Sequence, residues 1–446
     1  MTKPRVFLGW LILVLILSAC QTATPSPTPV PTSTAAVEAG PVQGPTATLV
    51  PPAATATPGA STAPTTPPFA PAVQAPLSKD ANSYFAASGK CVRCHVGLRD
   101  QSGAEVNQAT LWRASPMANA AVDPYYQAAV SNEIQNHPEY RAAIEQKCST
   151  CHMPMAHFAD VGQGKGAQIF GPDGYLSPSH PWNRLALEGV SCTVCHQIQP
   201  EGLGQRFSGD LPLDFTTPPG QRVVFGSFAP TRAGQMRMPN ESGFVPRQSD
   251  HLGTSEVCAV CHNLYTHYVT ADGALSEDVF PEQTPYTEWR YSAFAPNTSC
   301  QDCHMPEAQG SVVLTAIGQP VARQPVRRHE FTGGNTYLLR LLKAFGGGLQ
   351  AMDGEAGFAA AIARTQAFLQ SQTAILTIAG PQAKDGNLTF RVTVTNLTGH
   401  KFPSAYPSRR AWLHVTVRDA AGQVAFESGA YTPEGAIHGN DNDADP

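Results

Sequence analysis

The chain has 446 residues, enough for more than one domain, and its net charge of −5 at pH 7 gives no bulk attraction for nucleic acid. Only 14% of the residues are charged, whereas 40 prolines and 38 glycines predict many loops and at least one low-complexity segment. Eleven cysteines could form five disulfides with one free thiol in an exported protein. The spacing of the cysteines distinguishes this possibility from other roles.

Residues 1–20 have the pattern of an export signal. Lys3 and Arg5 precede an apolar run over 6–17, which is shorter than the roughly 20 residues that span a membrane. The run ends in Leu17-Ser18-Ala19-Cys20, which resembles a bacterial lipoprotein box and implies cleavage before Cys20 and lipidation of Cys20. The alternative is an uncleaved anchor helix. Either interpretation predicts an exported, membrane-anchored chain that faces the periplasm or the cell exterior.

Residues 21–78 are rich in Pro, Thr, Ala and Ser, with almost no charge and no apolar periodicity. Such a segment cannot bury enough apolar surface to fold. We expect a disordered, extended tether that holds the rest of the chain away from the lipid.

A five-fold repeat of Cys-x-x-Cys-His follows the tether and uses all ten cysteines that remain after Cys20. The copies are Cys91-Val-Arg-Cys94-His95, Cys148-Ser-Thr-Cys151-His152, Cys192-Thr-Val-Cys195-His196, Cys258-Ala-Val-Cys261-His262 and Cys300-Gln-Asp-Cys303-His304. Two thiols three positions apart lie on one side of a helical turn, where both can form thioether bonds to one haem. The following His then provides the proximal ligand of the iron.

Zinc binding and thiol–disulfide exchange are the competing interpretations of Cys-x-x-Cys. Zinc sites do not need a His directly after each pair, and redox motifs usually occur once. With 14 His in 446 residues, a His after all five pairs has a chance probability on the order of 10⁻⁸. The repeat therefore predicts five covalently bound haem c groups, each with an iron.

Each iron also needs a distal ligand, usually His or Met, or else keeps an open site. The candidates are His157, His180, His251, His267, His329, His400 and Met117. A loop as short as that from His152 to His157 hardly reaches the opposite face of its own haem, so we expect such residues to serve a neighbouring haem. The remaining three His are His137, His414 and His438.

Residues 79–345 hold all five motifs, and successive motifs begin 42 to 66 residues apart. These segments are too short for an independent core, so we expect a mainly α and irregular domain in which the haems form the core. One internal sequence repeat indicates a duplicated module. Trp112-Arg-Ala-Ser115 precedes a Cys-x-x-Cys-His-Met-Pro sequence, and so does Trp289-Arg-Tyr-Ser292.

The two Trp-x-x-Ser segments, the two Cys-x-x-Cys-His-Met-Pro copies and Glu188-Gly-Val-Ser-Cys192 resemble the multihaem cytochrome c family of the cytochrome c-554 type. The resemblance covers about 80–345. It implies electron transfer and mostly bis-His haems in closely packed pairs. The family often carries a His two residues after the Ser, where this chain has Met117 and Phe294. Met–His ligation, or a ligand from elsewhere, is therefore expected at one haem.

The C-terminal region changes pattern. A connecting helix is predicted within 346–372, followed by strands in 373–446 that resemble half of an Ig-like β-sandwich. The segment Thr398-Gly-His400-Lys-Phe-Pro403 resembles a loop found beside multihaem domains, so His400 could reach a haem or be a turn residue. With four or five strands where a sandwich needs about seven, we expect a truncated all-β segment.

Three functions remain open. The first is electron transfer between redox partner proteins, which needs no substrate pocket. The second is a multihaem oxidoreductase for a small nitrogen compound such as nitrite or hydroxylamine, which needs one open haem and acid–base groups. The third is a structural or sensory module. Pentahaem nitrite reductases typically replace one proximal His by Lys, and no motif here ends in Lys.

Overall fold

The computed structural model describes residues 70–318, 320–433 and 435–439. The predicted signal segment, Cys20, most of the predicted tether and the last residues of the C-terminal region lie outside the described residues. Within the described ranges, no helix combines the length and the apolar character that crossing a bilayer requires. All of the described residues fall in one compact unit.

Short helices and long loops alternate along the chain. The α-helices are α1 Gly89–Val92, α2 Gln108–Arg113, α3 Pro124–Asn136, α4 Arg141–His152, α5 Pro154–Val161, α6 Asn183–Leu187, α7 Cys192–Cys195, α8 Arg232–Ser242, α9 Ser255–Ala259, α10 Pro285–Arg290, α11 Cys300–His304, α12 Thr336–Leu349 and α13 Glu355–Gln372. Two 3-10 helices span Pro138–Tyr140 and Asp250–Gly253. Each of the five cysteine motifs lies on a short helix or at its end, as the spacing of the thiols requires.

The strands form five separate two-stranded sheets in the described part. They are β1 Val223–Gly226 with β2 Val245–Gln248, β3 Leu264–Val269 with β4 Leu275–Gln283, β5 Val312–Val313 with β6 Ala322–Arg323, β7 Ala374–Lys384 with β8 Asn387–Asn396, and β9 Val415–Arg418 with β10 Val424–Ser428. The first pair is parallel and the others are antiparallel. The fold is therefore mixed helical with small sheets.

The C-terminal strands are present where the sequence predicts them, but they do not form a sandwich in the described part. β7 pairs only with β8, and β9 only with β10. Apolar side chains such as Leu376 and Ile378 stay 60% and 69% exposed. A sandwich would bury one face of each sheet, so the Ig-like arrangement stays a prediction.

Buried apolar side chains in the described part are divided among five clusters. A domain of this size ordinarily has one contiguous core with small satellites. The largest apolar helix pair, α12 with α13, packs through Leu338, Leu342 and Phe358. The other clusters surround a central cavity, which is where the cysteine motifs lie.

Candidate haem-binding site

All five motifs open into one cavity of about 2550 Å³. The ten motif cysteines and the five motif histidines all line it. A pocket for one small ligand typically measures about 300–1,000 Å³, so this cavity has room for several large groups. The ten cysteines are free thiols, which leaves each pair able to form thioether bonds.

The motif histidines are oriented by the backbone. The Nδ1–H of His95 donates to Leu314 O at 2.7 Å, that of His196 to Phe225 O at 2.6 Å, and that of His304 to Thr332 O at 2.6 Å. His152 Nδ1 donates to Ala120 O at 3.1 Å. A hydrogen bond at Nδ1 fixes the tautomer and leaves the Nε2 lone pair for a metal.

Burial keeps these rings neutral. It lowers the pKa of His152 to about 4, and it lowers the pKa of His95, His196 and His304 below their ordinary value. The pKa of His262 is lowered by burial first and then by the nearby His304 and Arg409. A neutral imidazole is the form that ligates iron.

His329 faces His196 in the geometry of two axial ligands. The two ring centroids are 6.3 Å apart and the ring planes differ by 6°. Two metal–nitrogen bonds of about 2 Å each, with the offset from each nitrogen to its own ring centre added, give roughly 6 Å. His329 Nδ1–H donates to Arg327 O, and burial lowers its pKa to about 4. Both rings line the cavity.

His400 faces His304 in the same way. Their centroids are also 6.3 Å apart, and their planes differ by 8°. His400 Nδ1–H donates to Lys401 O at 2.8 Å. Thus the third and fifth motifs each have a second His where a distal ligand would sit, and the residues fit a six-coordinate haem at both places.

Two further predicted ligands, His267 and Met117, also line the cavity. His267 lies on β3 and donates its Nδ1–H to Ser276 O at 2.8 Å, which leaves Nε2 unengaged by that bond. Met117 is half-buried, and its backbone carbonyl accepts from Val190 N–H.

The structure places the other three predicted ligands outside the cavity wall. His157 contacts Ser149 Oγ and Thr150 Oγ1 through its two nitrogens. His251 accepts from Ser249 Oγ and donates to Ile198 O. His180 Nδ1 accepts from Trp182 N–H, and its Nε2 lies 3.7 Å from Asp160 Oδ2. Both nitrogens of each ring thus have protein partners.

His137 is a residue that sequence reasoning did not select, and it lines the cavity at the end of α3. The two histidines that face a motif His, His329 and His400, also share a local sequence pattern. His329-Glu-Phe331 and His400-Lys-Phe402 share a His-x-Phe pattern, and each phenylalanine lines the cavity beside its His.

Thiols of different motifs shift one another's pKa, which indicates which motifs are neighbours. A hydrogen bond from Cys192 lowers the pKa of Cys91, one from Cys261 lowers that of Cys151, and one from Cys258 lowers that of Cys300 to about 7. The pKa of Cys261 is raised first by its bond with Cys151 and by burial, and also by Cys195. The fourth motif therefore borders the second, third and fifth, whereas the first borders the third.

Glu188 ties the first motif to the third. Its carboxylate accepts from Ser88 N–H at 2.8 Å, from Ser88 Oγ at 3.0 Å and from Ser191 Oγ at 2.9 Å. Ser88 lies three residues before Cys91, and Ser191 immediately precedes Cys192. Burial is the main influence on this carboxyl and raises its pKa.

The two tryptophan segments occupy equivalent positions. Trp112 Nε1–H donates to Val190 O at 2.8 Å, and Trp289 Nε1–H donates to Thr298 O at 2.8 Å. Each acceptor lies two residues before the first cysteine of a motif, the third and the fifth respectively. The repeated sequence segments thus make equivalent hydrogen bonds. Trp112 bonds to a residue two positions before the third motif, whereas the next motif along the chain is the second.

No family model and no curated protein matches the chain. A solved structure that resembles it is the crystal structure of a penta-heme cytochrome c552 from Thermochromatium tepidum. The two are 17% identical with a TM-score of 0.45, over 78% of this chain and 74% of that chain. A likeness at this level is too weak to bear on function, which has to come from the residues described above.

Proposed function

We propose that the protein is an exported electron-transfer cytochrome that binds five haem c groups through its ten motif cysteines. The observation that carries the proposal is the pair of parallel imidazoles 6.3 Å apart at two motifs, within a cavity that all five motifs line. Neither a disulfide framework nor a set of zinc sites explains histidines placed opposite one another at this separation.

The chain's own residues supply the attachment and the axial ligands. Each motif thiol would add its S–H across a vinyl C=C of the haem, so that an S–C bond would form and the hydrogen would go to the other carbon. The backbone carbonyls at Leu314, Phe225 and Thr332 hold the proximal Nδ1–H groups and raise the basicity of the ligating nitrogens. When bound, the haem irons supply electron storage by cycling between two oxidation states.

The placement of the motifs supports electron transfer more than catalysis. His329 and His400 would hold a haem iron opposite His196 and His304, and bound haems at the third and fifth motifs would then have no open site for a substrate. The loop that carries His400 packs on the second tryptophan segment. A Cβ at Gly399 would meet Trp289 Cδ1 at 3.3 Å and Phe294 Cβ at 3.7 Å. His400 therefore reaches the module in which Phe294 cannot ligate.

Neighbouring thiols in different motifs indicate that the haems bound at those motifs would lie close together. Because the fourth motif borders three others, electrons entering at one end would have a continuous route to the other motifs. We further propose that the donor and the acceptor are redox partner proteins and that Cys20 carries a lipid anchor. The support for the anchor is the sequence pattern at residues 1–20.

The test is a mass and spectroscopic analysis of the full chain produced in a host that attaches haem c. We expect a mass gain of five haems that survives denaturation, with one haem lost when both cysteines of one motif are replaced by serine. A redox titration should show reversible reduction of all five. A protein without covalent haem, or with zinc or disulfides at the motifs, would refute the proposal.

The catalytic alternative is decided by the spin state. Electron paramagnetic resonance of the oxidised protein should show five low-spin irons if every iron has two axial ligands. A high-spin signal in the wild type would identify an open site, and nitrite and hydroxylamine would then be the trial substrates. Cys20→Ala should release the protein from membranes without a change in haem content.

A further inference from the structure

We propose that Met238, on helix α8, is the distal ligand of the iron held by Cys91, Cys94 and His95. The inference rests on the proposed haem binding and adds the ligand of one particular iron. Sequence reasoning did not select this residue, and His329, the nearest distal histidine described above, already faces His196.

The neighbourhood of the first motif is formed by two segments. The loop after β5 holds the motif, because Leu314 O accepts from His95 Nδ1–H and Ala316 N–H donates to Cys94 O. The same loop reaches α8, where a Cβ at Gly318 would lie 3.8 Å from Ala233 Cβ. Helix α8 is thus held next to the first motif.

An ion pair fixes α8 from the other end. Arg93, between the two cysteines of the motif, pairs with Glu241 on the last turn of α8. α8 therefore borders the motif at both of its ends.

One face of α8 is turned to the cavity. The residues that line the cavity are Ala233, Gly234, Arg237, Met238, Glu241 and Ser242. They repeat at intervals of four along two adjacent rows, as one face of a helix does. α8 has no buried residue, so this face packs against the cavity and not against a protein core.

Met238 is the residue on this face whose side chain ligates haem iron in proteins. Gly234, one turn earlier in the same row, leaves space for a flat group beside the thioether. The other methionine of the helix, Met236, is 64% exposed and is not part of the cavity wall. The neighbouring wall segments 227–234, 314–318 and 320–325 contain no histidine.

The test is near-infrared magnetic circular dichroism of the oxidised, haem-loaded protein together with its Met238→Leu variant. We expect a sulfur-to-iron charge-transfer band in the wild type, worth one haem of five, that disappears in Met238→Leu. One iron of five should then become high-spin. Met236→Leu is the matched control on the same helix and should keep the band.

A second variant separates ligation from packing. Met238→His should also lose the sulfur band, but all five irons should stay low-spin and the highest of the five reduction potentials should fall, because Met ligation raises a haem potential. Met117→Leu should leave the band unchanged. The proposal fails if the wild type has no sulfur band, or if Met117→Leu removes it and Met238→Leu does not. The haem count by mass stays five in each of these outcomes, so the proposed function would survive this failure.

Discussion

At the scale of single residues, the hydrogen-bond partner of the second ring nitrogen separates a ligand from a structural histidine. His329 and His400 each bind a backbone carbonyl through Nδ1 and present Nε2 to the cavity. His251 uses both nitrogens within the protein. Only the first arrangement leaves a lone pair for a metal.

We expect His329→Ala and His400→Ala each to convert one iron of five from low-spin to high-spin, because each removes one axial ligand. Electron paramagnetic resonance of the oxidised protein measures this, and added azide or imidazole should restore the low-spin signal. His251→Ala and His180→Ala are the matched controls and should leave all five signals unchanged. An unchanged spectrum in His329→Ala would show that the facing rings do not share an iron.

A second residue-scale prediction concerns Glu188. Glu188→Ala should lower the free energy of unfolding by about 3 kcal/mol, because it leaves the buried donors of Ser88 and Ser191 unpaired. Glu139→Ala, which removes an exposed carboxylate, should change it by less than about 0.5 kcal/mol. Denaturant unfolding of the haem-loaded protein compares the two.

The pH dependence of Glu188 has a definite sign. Its pKa is raised in the folded protein by burial, so the folded state binds the proton more tightly than the unfolded state. The contribution of this raised pKa to the free energy of unfolding is fully present below about pH 4.5. It is lost as the pH rises through the pKa of the folded state. The destabilisation caused by Glu188→Gln should therefore be larger at pH 4.5 than at pH 7. A difference that grows with pH would contradict the assignment of burial as the main cause.

At the scale of elements, the two tryptophan segments act as braces for two motifs. α2 and α10 each end with a Trp-Arg pair whose indole reaches the backbone two residues before a motif. Both indoles are buried, with 5% and 8% of their surface exposed. The brace fixes the start of the motif helix and, with it, the direction of the proximal His.

We expect Trp112→Phe and Trp289→Phe to lower the free energy of unfolding by about 1–3 kcal/mol each, since each leaves a part-buried carbonyl without its donor. The similar geometry predicts similar losses. Trp412→Phe is the control, because its indole also donates to a carbonyl but the side chain is 44% exposed. Denaturant titration of the three variants measures this, and an equal loss in all three would show that burial of the brace is unimportant.

The sequence was most informative where one chemical requirement sets the spacing. The helices that carry Cys91, Cys148 and the other motif cysteines follow from the need to place two thiols on one side of a turn. Distal ligands were harder, because a His-x-Phe pattern can mark His329 and His400 as candidates but the motif His that each one faces is set by tertiary packing. The same limit applies to His157, which the sequence predicts as a ligand and whose ring nitrogens contact Ser149 and Thr150.

At the scale of the whole molecule, the fourth motif is the junction. Cys258 and Cys300 shift each other's pKa, and so do Cys261 and Cys151. Cys195 of the third motif raises the pKa of both Cys258 and Cys261. The first motif neighbours the third, by way of Cys91 and Cys192.

Replacing Cys258 and Cys261 by serine should remove one haem and slow electron equilibration among the remaining four. The reason is that the thiols of the fourth motif neighbour those of the second, third and fifth. The same change at Cys91 and Cys94 removes a terminal haem and should leave equilibration among the rest unchanged. Flash photoreduction with optical detection compares the two variants. Equal rates would show that the motifs are connected by another route.

The segment from His329 to Thr332 has a bearing on how the protein is made. His329 faces His196, while Thr332 exchanges two hydrogen bonds with His304. Both distal histidines come after the last cysteine motif in the chain, and His329 lies more than a hundred residues after the ring it faces. During the proposed export from the N-terminus, the third motif would therefore emerge long before His329 does. A maturation apparatus would meet a haem at that motif with only one protein ligand, and ligation by His329 would follow synthesis of the last cysteine motif.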